Sequence, residues 1–244
     1  MTTDNAGPAR PVERGRKPAV IPALRGPAVV LMVVGALLLV LPALLYAGDR
    51  EPNRIDRWIQ PAVNTPAGLW RTALIVDWTG EPAGRVVTVL IVAALCLLTG
   101  RRRLAVTAVV GTFLTTVLAL VLKHLVDRRI HGDFLSYPSG HTAAATAIGL
   151  VLGLLAADLL KVRRIAGTAL VLGLALICGG LMAWSQLDLT AHYPTDTVGG
   201  FGSALLIIPA TALLIDRFAG KQQVATRLPR QRSDWCWACW PPTY

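Results

Sequence analysis

Long uncharged segments rich in Ala, Val and Leu alternate with short charged segments along most of the chain. Six of them are bounded by charged residues: Arg25 to Asp49, Arg85 to Arg101, Arg103 to Lys123, Asp133 to Asp158, Arg164 to Asp188, and Asp196 to Asp216. A helix that crosses a bilayer needs about 17–25 mostly apolar residues. The second segment reaches that length if its helix begins near Pro82 and the Arg85 side chain extends toward the membrane surface. The pattern predicts an all-α polytopic membrane protein with six transmembrane helices.

The composition agrees with a membrane protein. Of the 244 residues, 54% are hydrophobic and 16% are charged, whereas soluble domains contain about 45–50% apolar and about 25% charged residues. The four cysteines are too few and too scattered for a disulfide framework. The even spread of apolar segments favours one membrane domain.

The positive charges predict an orientation. If both termini are cytoplasmic, about two thirds of the 24 Lys and Arg residues lie in cytoplasmic segments, including the short basic loops that contain Arg101 and Arg163. This distribution predicts a multi-pass plasma-membrane protein with both termini in the cytoplasm. It also explains the net charge of +10 by topology and attraction to anionic lipids, so the expected partner is the bilayer and not nucleic acid.

The chain ends differ in composition from the apolar segments. Residues 1–24, rich in Pro and Arg, are predicted to be a disordered basic cytoplasmic N-terminus. The membrane domain is expected over residues 25–218, followed by a disordered cytoplasmic tail over 219–244. In that tail, Cys236 and Cys239 form a CxxC pair. For this pair, a tail whose Trp residues contact the inner leaflet is favoured over a redox or zinc site.

A shorter apolar segment lies between the first two predicted spans. Leu69–Trp78 has a Trp near each end, Trp70 and Trp78. Because Trp favours the headgroup depth of a membrane, the segment is predicted to be a short interfacial helix on the outer side.

All four histidines fall in three short polar stretches, residues 122–134, 137–142 and 185–196. These stretches end the third predicted helix, begin the fourth, and connect the fifth to the sixth, so the topology places all three on the outer face. Ionisable groups at the membrane boundary are costly and mark functional sites. We therefore expect the three stretches to form one site.

The entry to the fourth helix has the pattern of an anion site. Pro138-Ser139-Gly140-His141 precedes a long apolar helix, so Ser139 is a natural N-cap and Gly140 lets a ligand approach the backbone closely. Free amide groups and the helix dipole favour an anion there, within reach of His141. The alternative is an ordinary helix cap with an interfacial histidine.

His192 and Asp196 are spaced i,i+4, which puts them on one face of the sixth helix. A carboxylate beside imidazole selects the tautomer and supports positive charge on the ring. The other ring nitrogen could then act as a nucleophile or a base. The alternative is a buried structural pair.

Three cations, Lys123, Arg128 and Arg129, lie at the end of the third helix. They suit a phosphate, which carries about −1.5 to −2 charges. As alternatives, Asp127 could neutralise Lys123, and the two arginines could contact lipid headgroups. Two histidines and one aspartate could also ligate a metal ion, but the neighbouring cations would repel it. The sequence therefore predicts phosphoryl transfer without a metal or other cofactor.

These residues resemble the type 2 phosphatidic acid phosphatase (PAP2) family of six-helix membrane phosphatases. Its signature is Lys, six residues, Arg-Pro; then Pro-Ser-Gly-His; then Ser-Arg, five residues, His, three residues, Asp. Pro138–His141 matches the second motif, and Ser185, His192 and Asp196 match the third.

The resemblance implies a role for each matching residue. His192 would be the nucleophile that forms a phosphohistidine, Asp196 would orient it, and His141 would be the general acid. Lys123, Ser139 and the Gly140 amide would hold phosphate oxygens. The family's lipid phosphatases need no metal.

Two positions depart from the signature: Gln186 replaces the arginine of the third motif, and Ile130-His131 replaces Arg-Pro in the first. Gln186 keeps a hydrogen-bond donor but brings no charge, and Arg128 or Arg129 could substitute for the first arginine. The expected activity is outward-facing hydrolysis of a lipid phosphate or pyrophosphate of the polyprenyl pyrophosphate, phosphatidic acid or phosphatidylglycerophosphate type. The alternatives are a degenerate member that binds lipid phosphate as a scaffold, a related lipid phosphotransferase and, less favoured, a small transporter.

Overall fold

A computed structural model describes residues 17–63 and 69–227, with side chains as far as residue 220. The predictions for residues 1–16 and 228–244, including Cys236 and Cys239, lie outside the described residues. The elements are α1 (Arg25–Leu45, preceded by a 3-10 turn over Pro22–Leu24), α2 (Arg54–Val63), α3 (Trp70–Trp78), α4 (Pro82–Leu98), α5 (Arg102–Val106), a π-helical segment (Thr107–Gly111), α6 (Thr112–Val126), β1 (Arg129–Ile130), β2 (Phe134–Leu135), α7 (Gly140–Leu159), α8 (Arg164–Asp188) and α9 (Pro194–Arg227).

The predicted transmembrane architecture is confirmed. Within the described residues, five continuous helical stretches are long and apolar enough to cross a membrane: Pro22–Leu45, Arg102–Val126, Gly140–Leu159, Arg164–Asp188 and Pro194–Gly220. The pair α3 and α4, which is bent by 66°, makes the sixth span if the two helices cross the membrane as one broken segment. Helix α4 begins at Pro82 as expected, since proline is well suited to a first helical position.

Helix α7 lies at the centre of the bundle and packs against α8, α9, α6 and α4. Its buried face is built largely from small residues such as Ala143, Ala144 and Ala147. Elsewhere, a Cβ added at Gly35 of α1 would lie 2.7 Å from the Gly202 carbonyl oxygen of α9. Small residues at such crossings let helices pack closely in a membrane, where contact between helices stabilises the bundle.

One end of the bundle is held by ion pairs and backbone contacts. The amides of Ala19 and Val20 donate to the carboxylate of Asp216 at 2.8 and 3.0 Å, and Arg103 pairs with the same carboxylate. Ala19 and Val20 are buried, which corrects the expected disorder for residues 17–24. The backbone of α9 also continues helical to Arg227, beyond the predicted domain end at 218.

The opposite end of the bundle carries the polar stretches. Helix α6 ends at Asp127, whose φ of 48° is left-handed, and the chain then forms a two-stranded antiparallel ribbon, β1 with β2. This ribbon is a small departure from the predicted all-α fold. It leads through Ser136 and Tyr137 into α7 and so places the start of α7 beside the start of α9, where the amide of Ser139 donates to the Asp196 carbonyl at 3.0 Å.

Candidate active site

The start of α7 is organised as the sequence predicts. The Ser139 hydroxyl oxygen accepts from the Thr142 amide at 3.4 Å and from the Thr142 hydroxyl at 3.1 Å, so Ser139 caps the helix. A Cβ added at Gly140 would meet no atom within 4 Å. The start of α7 therefore has open space beside Gly140 that an anion could occupy.

His192 and Asp196 lie together at the entry to α9. The His192 Nδ1 atom is 3.7 Å from Asp196 Oδ2, close but longer than a hydrogen bond, and this buried Nδ1 has no hydrogen-bond partner. Asp196 is fully buried, and its Oδ2 accepts from the Tyr193 amide at 3.0 Å. A small rotation of the imidazole would complete the pair.

Arg128 has a different place from the one predicted. Its guanidinium is fully buried and donates to Asp196 Oδ1 at 2.5 Å, to Asp56 Oδ2 at 2.5 Å and to the Thr195 hydroxyl at 2.7 Å. It also lies against the rings of Tyr46 and Tyr193, 5.0 and 4.7 Å from their centroids. Arg128 is thus a buried structural cation behind the histidine–aspartate pair, and its expected placement as an accessible phosphate ligand is corrected.

Asp56 of α2 is a site residue that the sequence reasoning missed. It is fully buried, and its carboxylate accepts from the Thr195 amide and hydroxyl, both at 2.9 Å, in addition to Arg128. The sequence signal is one carboxylate between two arginines, Arg54 and Arg57, in the segment that joins the first two predicted spans. Its effect is to fix α2 to the entry of α9.

Arg129 is bound by carboxylates of its own loop and is not free to act as the phosphate ligand that the sequence predicted. Its guanidinium pairs with Asp127 at 2.9 Å and with Asp133 at 3.1 Å, at the edge of the β-ribbon. Because Asp127 binds Arg129, the predicted alternative in which Asp127 neutralises Lys123 is wrong. Neither arginine of the Arg128-Arg129 pair is therefore free to replace the missing first-motif arginine.

Lys123 remains available for an anion. Its ammonium group donates one hydrogen bond, to the Leu135 carbonyl at 2.7 Å, and forms no ion pair within the described part of the chain. An ammonium has three donors, so two remain for a ligand at this end of the bundle.

His141 lies among residues of α3 and of the α3–α4 bend that the motif reasoning did not include. Its Nε2 atom is 3.7 Å from Asp77 Oδ1 and 3.6 Å from Glu81 Oε1. The buried Gln186 amide donates to the same Asp77 oxygen at 2.5 Å, so Gln186 engages a carboxylate and not open space. The sequence offered little signal for Asp77 and Glu81, because the α3 segment had the pattern of an interfacial helix.

Asp77, Glu81 and His141 are also the residues that could hold a metal ion. One ligand atom from each lies within 4.8 Å of the other two. A His and two carboxylates match the ligand types of zinc and similar divalent cations. The same geometry suits a protonated His141 shared between two carboxylates.

A cleft of about 450 Å³ opens beside the nucleophile candidate. Its walls include Asp56 and Arg57 from α2, His131 from the ribbon, and His192 with Tyr193 before α9. Burial raises the pKa of the Tyr193 hydroxyl, with Arg128 opposing the shift, so the Tyr193 side chain is neutral at pH 7. The cleft can therefore admit a headgroup to the edge of His192.

A family model described as the PAP2 superfamily matches residues 106–219, which include Lys123, Ser139, His141, His192 and Asp196. This match supports the resemblance to PAP2 membrane phosphatases that the motifs indicate. The crystal structure of a transmembrane PAP2-type phosphatidylglycerolphosphate phosphatase from Bacillus subtilis is similar, with a TM-score of 0.57 and 19% identity over 80% of this chain and 96% of that one. None of the curated proteins compared with the chain matches it. The family-model match and the shared fold support a membrane lipid phosphatase in general.

Proposed function

We propose that the protein hydrolyses a lipid phosphate or pyrophosphate on the outer face of the plasma membrane through a phosphohistidine, with both termini in the cytoplasm. The observation that carries this proposal is the position of His192, which borders a cleft and lies 3.7 Å from the buried carboxylate of Asp196. The polar residues and the cleft lie at one end of the bundle, as a substrate presented at the membrane surface requires.

In the first step, the free nitrogen of His192 attacks phosphorus and forms a P–N bond while the P–O bond to the leaving group breaks. His141 gives its proton to the leaving oxygen, and the positive imidazole of His192 is stabilised by Asp196. In the second step, water attacks the phosphohistidine and gives a proton to His141. The P–N bond breaks, and phosphate and free His192 are restored.

The phosphate is held by groups at the start of α7 and the end of α6. The Lys123 ammonium, the Ser139 hydroxyl and the Gly140 amide supply donors, and the α7 dipole adds positive potential. Arg128 acts behind them by holding Asp196 in place. No metal ion takes part in these steps.

A scaffold that binds lipid phosphate without turnover is the second candidate. It is favoured by the missing motif arginines at Ile130 and Gln186 together with the two carboxylates, Asp77 and Glu81, close to His141. These changes lower the positive charge available to a transferring phosphoryl group. The retained pairing of His192 with Asp196 favours the enzyme, because a scaffold does not need a nucleophile and its orienting carboxylate.

Phosphate release by the detergent-purified full-length chain separates the two candidates. The substrates are phosphatidic acid, phosphatidylglycerophosphate and a polyprenyl pyrophosphate, with His192→Ala as the inactive control and EDTA in a parallel series. Release that survives EDTA and disappears in the variant supports the phosphohistidine mechanism. Binding of these lipids without release from any of them would favour the scaffold.

A further inference from the structure

One cation in the cleft is not accounted for by the motifs. Arg57 of α2 lines the same cleft as His192, is exposed, and forms no ion pair within the described residues. The two arginines expected from the sequence are unsuited to this place, since Arg128 is buried between two carboxylates and Arg129 pairs within its own loop. Among the described residues that line the cleft, Arg57 thus supplies a guanidinium without an ion pair beside His192.

The position of Arg57 is fixed by its neighbour. Asp56 is fully buried and bound to Arg128 and Thr195, the same elements that hold Asp196. Since Arg57 follows Asp56 directly, its Cα is held at a set place relative to His192. The side chain then projects from this anchor into the cleft wall.

We propose that Arg57 binds a phosphate oxygen of the substrate from the cleft side of His192, in addition to the donors of α6 and α7, and supplies positive charge that the missing motif arginines do not. The inference rests on the proposed function, because it names a further binding residue of the same site. A guanidinium can hold two phosphate oxygens at once with its planar fork, which a lysine cannot do. His131 lines the cleft too, but its Nε2 is 2.8 Å from the Thr190 carbonyl, which makes Arg57 the stronger anion ligand.

An alternative for an exposed arginine at the membrane surface is contact with lipid headgroups. Arg54 is a matched control for that role, because it is an exposed arginine of the same helix and is not part of the cleft wall. A general surface effect would act on both arginines, whereas substrate binding would act on Arg57.

The experiment compares Arg57→Ala, Arg57→Lys and Arg54→Ala in the full-length chain in detergent. Two quantities are measured: kcat/KM for phosphate release from the best substrate, and binding of inorganic phosphate by calorimetry. Arg57→Ala is expected to lower kcat/KM by about tenfold or more, since one electrostatic contact to the transferring group is often worth that much. Arg57→Lys should recover part of the loss, and Arg54→Ala should behave as wild type.

Equal losses in Arg57→Ala and Arg54→Ala, or no loss in either, would overturn the role of Arg57. If the wild type releases no phosphate from any lipid, the proposed function fails, and phosphate binding then decides the inference on its own. Binding that Arg57→Ala abolishes supports the anion site without turnover. Binding that survives in this variant, or a wild type that binds no phosphate, overturns it.

Discussion

Arg128 donates to Asp196 at 2.5 Å, so a fully buried guanidinium lies directly behind the carboxylate that faces His192. The other carboxylate on Arg128 is Asp56 of α2, also at 2.5 Å. One cation therefore balances two buried acids from different parts of the chain. This arrangement couples the stability of this end of the bundle to the position of His192.

Removing Arg128 should destabilise the fold strongly. Arg128→Ala leaves Asp56 and Asp196 buried without their cation, and losing one partner of a buried ion pair costs about 3–5 kcal/mol. Thermal unfolding in detergent measures the effect. Arg129→Ala is the control, because its partly exposed pairs with Asp127 and Asp133 should contribute less than about 1 kcal/mol. Similar losses in the two variants would contradict the structural role of Arg128.

Gly140→Ala is expected to lower the phosphatase activity while it leaves the fold as stable as in wild type or slightly more stable. The added methyl meets no atom within 4 Å, and a tolerated Gly→Ala change stabilises by about 0.4–1 kcal/mol. The same methyl occupies the space where phosphate would approach the first amides of α7. We expect kcat/KM to fall by about 10-fold to 100-fold, as small misplacements at a reacting centre do.

Gly180→Ala of α8 is the matched control for Gly140→Ala. It is also a helical glycine whose added methyl would meet no atom within 4 Å, but it lies on an exposed face away from the site. Its activity should stay at the wild-type level. Unchanged kcat/KM in Gly140→Ala would remove the start of α7 from the phosphate site.

The sequence predicts the membrane spans well, because a helix that crosses a bilayer needs a long run of apolar residues, which can be counted along the chain. Helix α4, for example, begins at Pro82 as expected. The sequence predicts fewer of the contacts within the candidate site. Arg128 and Arg129 are adjacent cations near Lys123 in the sequence, which does not show that α6 ends in a left-handed turn at Asp127 and that Arg128 is buried against Asp56 and Asp196. The contact of Asp56 with Arg128 joins segments far apart in the chain, and one sequence carries no signal for such a pair.

Restoring an arginine at position 186 should help only when Asp77 is removed as well. Gln186→Arg alone would place its guanidinium beside Asp77, whose carboxylate already accepts from Gln186 at 2.5 Å, and the new charge would be neutralised there. Gln186→Arg with Asp77→Asn leaves that charge free for phosphate and should raise kcat/KM by about 10²-fold. Asp77→Asn alone and thermal unfolding of each variant are the controls. An equal gain in the single Gln186→Arg variant would contradict the neutralising role of Asp77.

The fold should lose stability in alkali through Tyr137. This side chain is fully buried, its hydroxyl donates to the Leu39 carbonyl, and burial raises its pKa above the ordinary value of about 10. The folded state therefore favours the neutral form of Tyr137. Its contribution to the free energy of unfolding is complete below about pH 10 and is lost as the pH rises above that value. Unfolding followed from pH 7 upward should show a smaller alkaline loss in Tyr137→Phe than in wild type. An identical pH dependence would exclude Tyr137 as its source.

Removal of metal ions should leave phosphate release unchanged. Asp77, Glu81 and His141 could together ligate a divalent cation, but His141 needs a proton on a ring nitrogen to act as the general acid. A metal on Nε2 would exclude a proton from that nitrogen, and the Gln186 amide already donates to one Asp77 oxygen. Dialysis against EDTA, followed by assay and by elemental measurement of the purified chain, tests this. Activity that EDTA abolishes, that a divalent cation restores, and that Glu81→Gln weakens would establish a metal site and remove His141 as the acid.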